Sequence, residues 1–314
     1  FDDEYNAGQN SISQYNVNPG EVPLDPNFKD QRFAFSMNVS QPINRHIESS
    51  MGISYSQETD YQSLGINGGA TYFMNQKNTQ LGFYFGLEKD QITPFGAPPQ
   101  GLSSTHSGVK AGDTENKWVF DGLISLTQTL SQNAIMQMNY SVTQSNGYHS
   151  DPYKIISLIE NNNTTQDYLF EHRPNHRTKQ NLYAAFKVHV FGDTLDTSYR
   201  YMWDNWGVKS HTWDSKYRLN LGHFYIQPHY RIYRQSAADF FVNSLQSSQA
   251  LPQYASADYR LGELTTSTLG AKINWQFSPS QAFSVKLERY HQSGESDAAQ
   301  MSATISQMSY KWSF

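Results

Sequence analysis

The chain has no cysteine in its 314 residues. Neither a disulfide framework nor a Cys-ligated metal or redox site can belong to it. No stretch approaches the roughly 18 consecutive apolar residues that a membrane-spanning helix needs. Charge is sparse: 23 Lys and Arg against 28 Asp and Glu give a net charge of -5. No basic stripe of the kind nucleic-acid partners require is present. There is also no Gly-rich phosphate loop, so no cofactor is expected. His172 and His176 are four apart but lie in a Pro-containing loop, where helical spacing means little, and no metal site is expected. His149, Ser150 and Asp151 are adjacent in sequence, whereas a catalytic triad is assembled from distant segments. An enzyme is the weakest of the functions considered, and the expectation is that the chain is not one.

What the chain does have is aromatic residues, 14% of the total, in a sequence of mean hydropathy -0.67. That combination suits a wall with an apolar band outside and a wet interior. A soluble β-sandwich or β-helix is the competing reading. A sandwich buries one strand face in a core, but here the faces opposite the apolar ones carry Lys, Arg, Asp and Gln.

The organising stretch is the last one, 303–314, reading ATISQMSYKWSF. Thr304, Ser306, Met308, Tyr310, Trp312 and Phe314 share one face, and Gln307, Ser309, Lys311 and Ser313 on the other are polar. Strict alternation is the signature of a β-strand. Three terminal aromatics suit a strand leaving hydrocarbon for a lipid interface. The ending Tyr310, Trp312, Phe314 resembles the assembly signal of bacterial outer-membrane barrels, which implies the barrel-assembly machinery and outer-membrane lipid as partners.

The same two-residue rhythm recurs through the chain. Strands are expected near 31–41, 46–57, 60–74, 79–90, 116–130, 133–145, 177–190, 194–206, 208–221, 223–235, 257–277, 281–291 and 302–314. That is about 13 strands of membrane-crossing length in an all-β, antiparallel transmembrane barrel. Residues 1–30, rich in Asn, Asp, Gly and Pro, read as an irregular external loop, with a weak strand in 4–15 as the alternative. The barrel is expected over 31–314. Long loops fall near 91–115, 146–176 and 236–255. With the chain end placed in the periplasm, all of these lie on the outer side and the short turns on the inner side, as in outer-membrane barrels. Two outer links, near 58 and 207, should be tight hairpins. The stretch from Phe1 does not read as a signal peptide, so the chain is expected to be mature or a fragment. An even strand number with a periplasmic start then leads us to expect an odd number of upstream strands.

Several stretches carry a family resemblance: FKDQRFAFS (28–36), YSQETDYQSLGIN (55–67), NGYHSDPYKI (146–155), EHRPNHRTKQNLY (171–183), YRYMWDNWGVKSHT (199–212), YRIYRQSAADFF (230–241) and YASADYRLG (254–262). They span nearly the whole chain and resemble the bacterial "domain of unknown function 3570" proteins. The resemblance implies an outer-membrane barrel with a signal peptide and further strands before Phe28, about 16 in the complete protein. It brings no established activity. Family genes often lie near those of a small lipoprotein, a thioredoxin-like protein and a flavin transferase, which hints at an envelope partner such as the lipoprotein.

The polar faces are where a function would be written. Asp196, Arg200 and Asp204 share one strand face. Asp214, Lys216 and Arg218 share the next, and His229 and Arg231 the third. Neighbouring strands are about 4.8 Å apart, so opposite charges can pair across them. Two readings stand side by side: a salt-bridge network stiffening the wall, and a lumen that selects solutes or holds a partner. Asp204, His211, Arg234 and Asp239 are expected near the external mouth, as loop anchors or as a binding site. The leading function is a channel or transport barrel with a charged lumen. The alternative is a non-conducting scaffold that houses or displays another envelope protein.

Overall fold

The computed structural model describes residues 31–94, 97–107, 109–110, 112–162 and 164–313. The expectations for the external loop at 1–30, for a strand in 4–15 and for Phe314 lie outside these residues.

Among the described residues, thirteen strands form one antiparallel meander. In chain order they begin with β1 (Phe33–Pro42), β2 (Ile47–Gln57), β3 (Tyr61–Met74), β4 (Thr79–Ile92), β5 (Glu115–Ser131) and β6 (Ala134–Gly147). Two short strands, β7 (Ile155–Ile159) and β8 (Thr165–Phe170), interrupt the run. The wall resumes with β9 (His176–Val190), β10 (Asp193–Asp204), β11 (Lys209–Leu221) and β12 (Phe224–Gln235). After the two-residue β13 (Leu245–Gln246) come β14 (Leu264–Ser278), β15 (Gln281–Gly294) and β16 (Met301–Trp312). Strands β13, β7 and β8 form a separate small sheet. The large sheet is not closed: β1 and β16 are not paired with each other.

Register fixes the two faces. Directly opposed residues in antiparallel strands lie on the same side. One apolar row runs Met37↔Ile53, Ile53↔Ile66, Ile66↔Leu87 and Leu87↔Phe120. Another runs Tyr140↔Leu182, Leu182↔Tyr201 and Tyr201↔His211. Ile226↔Ile273 and Ile273↔Val285 continue the same face. Its side chains are exposed, Met308 to 75% and Leu269 to 64%. An apolar face left open over every strand is a surface made for lipid.

The buried hydrophobic residues lie elsewhere. Ile156, Ile159, Leu169, Phe170, Trp206, Val208, Ala238, Ala255 and Leu261 are all in the links at one end of the strands. Along the middle of the wall, the polar face has no buried apolar core among the described residues. A sandwich would show the opposite.

The ends of the meander differ as expected. One end carries turns of a few residues, with Gly192 at φ 90 and Gly222 at φ 67. These are left-handed positions that glycine adopts without steric cost. The other end carries the long links and the tight hairpin at Gly207 (φ 86).

Two sequence expectations need correction. The strand expected from 257 begins only at Leu264. Residues Tyr259–Leu261 form a short 3-10 turn, with the Asp258 side chain accepting from the Arg260 amide. Such a side-chain cap offers the backbone an alternative to the ladder. The loops at 146–176 and 236–255 are also not irregular throughout, since they supply β7, β8 and β13.

The face assignment makes a prediction. Ile273→Arg, mid-strand on the apolar face, should lower stability in a lipid bilayer by about 2–4 kcal/mol. Gln307→Arg on the polar face should leave it nearly unchanged. Urea unfolding in vesicles measures both, and equal losses would contradict the assignment.

Candidate functional site

The polar face is strongly charged, and the charge is unevenly placed. From β9 to β16 it carries Arg177, Lys179, Lys187, Arg200, Lys216, Arg218, Arg231, Lys272, Lys286 and Lys311, against Asp196, Asp204, Asp214 and Glu288. From β1 to β6 the balance reverses, with Glu48, Glu88, Asp90, Glu115 and Asp121 against Lys117.

A network occupies the middle of the basic half. His229 on β12 places Nε2 3.1 Å from Asp214 Oδ2 on β11. Its Nδ1 lies 2.7 Å from Glu288 Oε1 on β15. Strand β14 runs between β12 and β15, and Gly270 sits in the row between His229 and Glu288. With no side chain there, the imidazole reaches across a whole strand. A Cβ on Gly270 would overlap the Leu287 carbonyl and lie 2.6 Å from Glu288 Cα. Both ring nitrogens thus face carboxylate oxygens, one on each side of the ring. Lys216 Nζ adds a contact to Asp214 at 3.3 Å, Arg231 one at 3.7 Å and Lys286 Nζ one to Glu288 at 3.1 Å.

Other charges on this face are more loosely held. Lys187 and Asp196 lie 3.7 Å apart, both largely exposed. The Arg218 guanidinium stacks 3.9 Å from the Tyr225 ring centroid, and Lys272 lies 5.9 Å from the same ring. Arg200 stands 5.9 Å from the Tyr183 ring.

A second cluster lies at the loop end. Arg173 Nε is 2.6 Å from Glu171 and its Nη2 is 2.9 Å from Asp258. Ser256 donates to Glu171 at 2.5 Å, and Arg260 pairs with Asp258. Backbone bridges His172↔Ala255 and Ser104↔Leu169 tie three long links together. Arg177 pairs with Asp204, and its guanidinium lies 4.2 Å from the Trp206 ring centroid. The Trp206 indole donates to the His176 carbonyl at 2.9 Å. Trp206, Val208, Ala238 and Leu261 form a small hydrophobic core beside this pair.

Burial sets the protonation behaviour here. It pushes the Glu171 carboxyl above its usual range despite Arg173 and Ser256. Asp258 is buried too, but Arg260 and Arg173 outweigh that and hold it at about 2. Burial lowers His149 to about 4. Its Nδ1 donates to the Gly147 carbonyl at 2.8 Å, leaving Nε2 to accept from Ser145 at 2.7 Å. Protonating the ring would reverse the Ser145 bond, with Nε2 donating to the hydroxyl oxygen.

Among the residues singled out from the sequence, Asp196, Arg200, Asp204, Asp214, Lys216, Arg218, His229 and Arg231 all stand on the polar face. Asp214, Lys216, His229 and Arg231 are brought into one network. Asp204, His211, Arg234 and Asp239 share the loop end but not one face. His211 and Arg234 are opposite each other on the apolar side, and His211 meets the Tyr199 hydroxyl at 2.6 Å. Asp239 packs over Gly207, its amide donating to the Trp206 carbonyl at 2.8 Å. Tyr310 and Trp312 lie exposed on the β16 edge. Gly270, Lys272, Lys286 and Glu288 were missed. Their signal was available, since Leu269, Ala271, Val285 and Leu287 mark the opposite parity. The Glu171, Arg173 and Asp258 cluster gave no periodic signal.

Residues 4–311 match a family described as a protein of unknown function, DUF3570. The chain belongs to the DUF3570 family. No curated protein matches the sequence. Three solved structures resemble this DUF3570 chain in fold. The ferric enterobactin receptor PfeA of Pseudomonas aeruginosa aligns with a TM-score of 0.55 at 10% identity, over 96% of this chain and 52% of its own. The ferric-catecholate import receptor Fiu of E. coli K12 aligns with a TM-score of 0.53 at 8% identity, over 90% and 56%. The siderophore receptor PirA of Acinetobacter baumannii aligns with a TM-score of 0.53 at 8% identity, over 90% and 48%. The DUF3570 chain thus spans about half the length of these barrels, and it shares the fold of the outer-membrane β-barrels.

Two predictions follow from the geometry. Gly270→Ala should part β14 from β15 and separate His229 from Glu288. The wall should lose about 1–3 kcal/mol, as for overpacked sites, whereas Gly112→Ala, with no atom within 4 Å of a Cβ, should cost almost nothing. The loop end should also loosen in acid. The folded-state value of His149 is lowered, so its contribution is complete above 6.5 and is lost as pH falls towards 4. Asp258 follows between 3.8 and about 2, while Glu171 runs the other way, its contribution declining as pH rises above 4.5. Protection factors of the amides of residues 148–162, which allow for the intrinsic slowing of exchange in acid, should fall between pH 7 and pH 4, and His149→Gln should flatten the upper part of that profile.

Proposed function

We propose that this protein is a bacterial outer-membrane channel or transport barrel whose charged polar face lines an aqueous lumen. One observation carries the reading. Among the described residues the mid-wall polar face holds no apolar core, and its cations stay open to solvent, Arg231 to 48% and Lys216 to 43%. A face that wet and charged is suited to solutes. The outer-membrane setting rests on the fold and on the open apolar face. Hydrocarbon offers no partners to an unpaired edge, so β1 and β16 need theirs covered once in the bilayer. Tyr310, Trp312 and Phe314 fit the role of an assembly signal read by the barrel-assembly machinery.

The loop end favours a second reading. Its bridged links and buried ion pairs make a rigid platform suited to displaying or holding an envelope protein such as a small lipoprotein. Planar-bilayer recordings of the purified full chain separate the two. Steady currents are expected. A silent barrel that co-purifies with a lipoprotein would move the function to the scaffold.

A further inference from the structure

We infer that the β9–β16 half of the lumen wall is an anion-binding strip, so that the solute class served is anionic. The inference deepens the channel reading and rests on it for the transport role only. The protein as a whole carries a net charge of -5, yet cations outnumber carboxylates on this half of the polar face. The excess is therefore a local arrangement that overall composition does not account for.

Its densest part lies on β11, β12, β14 and β15. Lys272 and Lys286 stand directly opposite each other in register on the polar face. Like charges so placed repel and destabilise the pair. Only Lys286 has a carboxylate, Glu288, within ion-pair distance among the described residues. Lys272 is left with the Tyr225 ring, whose other neighbour is the Arg218 guanidinium. Arg218 donates from Nε to the neutral Asn220, so it too lacks a countercharge among the described residues. Lys216 and Arg231 share the single carboxylate Asp214 with His229. Arg218 on β11 and Lys272 on β14, uncompensated cations with the Tyr225 ring of β12 in common, form a site that an anion with several oxygens would neutralise. Rings and strips of Arg and Lys are how pores favour anions and phosphate groups.

The test uses the purified full chain in planar bilayers under a potassium chloride gradient, with inorganic pyrophosphate as the multivalent probe. The expected result is a reversal potential of anion-selective sign and a current blocked by pyrophosphate. In the double variant Arg218→Gln, Lys272→Gln the reversal potential should move towards zero and the block should weaken several-fold. Lys77→Gln, in a turn at the far end of β3, should change neither. A current that is cation-selective or unselective overturns the anion strip and leaves the channel reading standing. If no current flows, the channel reading falls and calorimetric titration of pyrophosphate decides. Binding that weakens in the double variant upholds the strip, and no binding in the wild type overturns it.

Discussion

The structure depends on one constraint: a backbone crossing hydrocarbon must satisfy every N–H and C=O from its own chain. Among the described residues, a hydrogen-bonded meander of thirteen strands does this between its strands and leaves one edge each of β1 and β16 open. Once the strands pair, side chains alternate between two solvents. The apolar side of each strand meets lipid, and the polar side faces whatever lies within the wall. There is then little for a hydrophobic core to do in mid-wall. The buried apolar residues gather instead at the loop end, where links must pack against each other in water.

That separation divides the molecule into two regions with different physics. The wall is held by ladder hydrogen bonds and by cross-strand pairs, and some contacts reach past a strand, as His229 does past Gly270 to Glu288 and Phe277 does to Tyr310. The loop end behaves like a small soluble domain, with a Trp206-centred core and buried ions. Buried ion pairs add little net stability beside well-packed apolar groups, but losing one partner is costly. They suit a region whose shape matters. The family-specific stretches at 146–155, 171–183, 199–212, 230–241 and 254–262 converge there, through contacts such as Arg177 with Asp204 and His172 with Ala255. The family resemblance is thus concentrated in the loop architecture as much as in the wall.

The wall was almost wholly legible in sequence. A period of two is written in the residues themselves, so face and strand number could be counted without coordinates. The parity of Asp196, Arg200, Lys216 and Arg231 followed directly. Legibility failed where periodicity stops. Asp258 ends an apparent run of strand by capping a turn, a local competition that alternation does not reveal. The short strands β7 and β8 pair as a local hairpin, but β13 joins β7 in parallel from a distant link.

By itself, then, the sequence determined the two-faced strands, their number among the described residues, their antiparallel order and the side on which each charge would stand. The physical reason is that these properties are local, set by neighbours one and two residues apart. Only the tertiary structure decided which charges meet. Whether His229 reaches Glu288 depends on the register of three strands and on a glycine in the one between. Whether Glu171, Arg173 and Asp258 share a buried cluster depends on how loops separated by some 85 residues come together. Those outcomes belong to packing, and no stretch of the chain contains them alone.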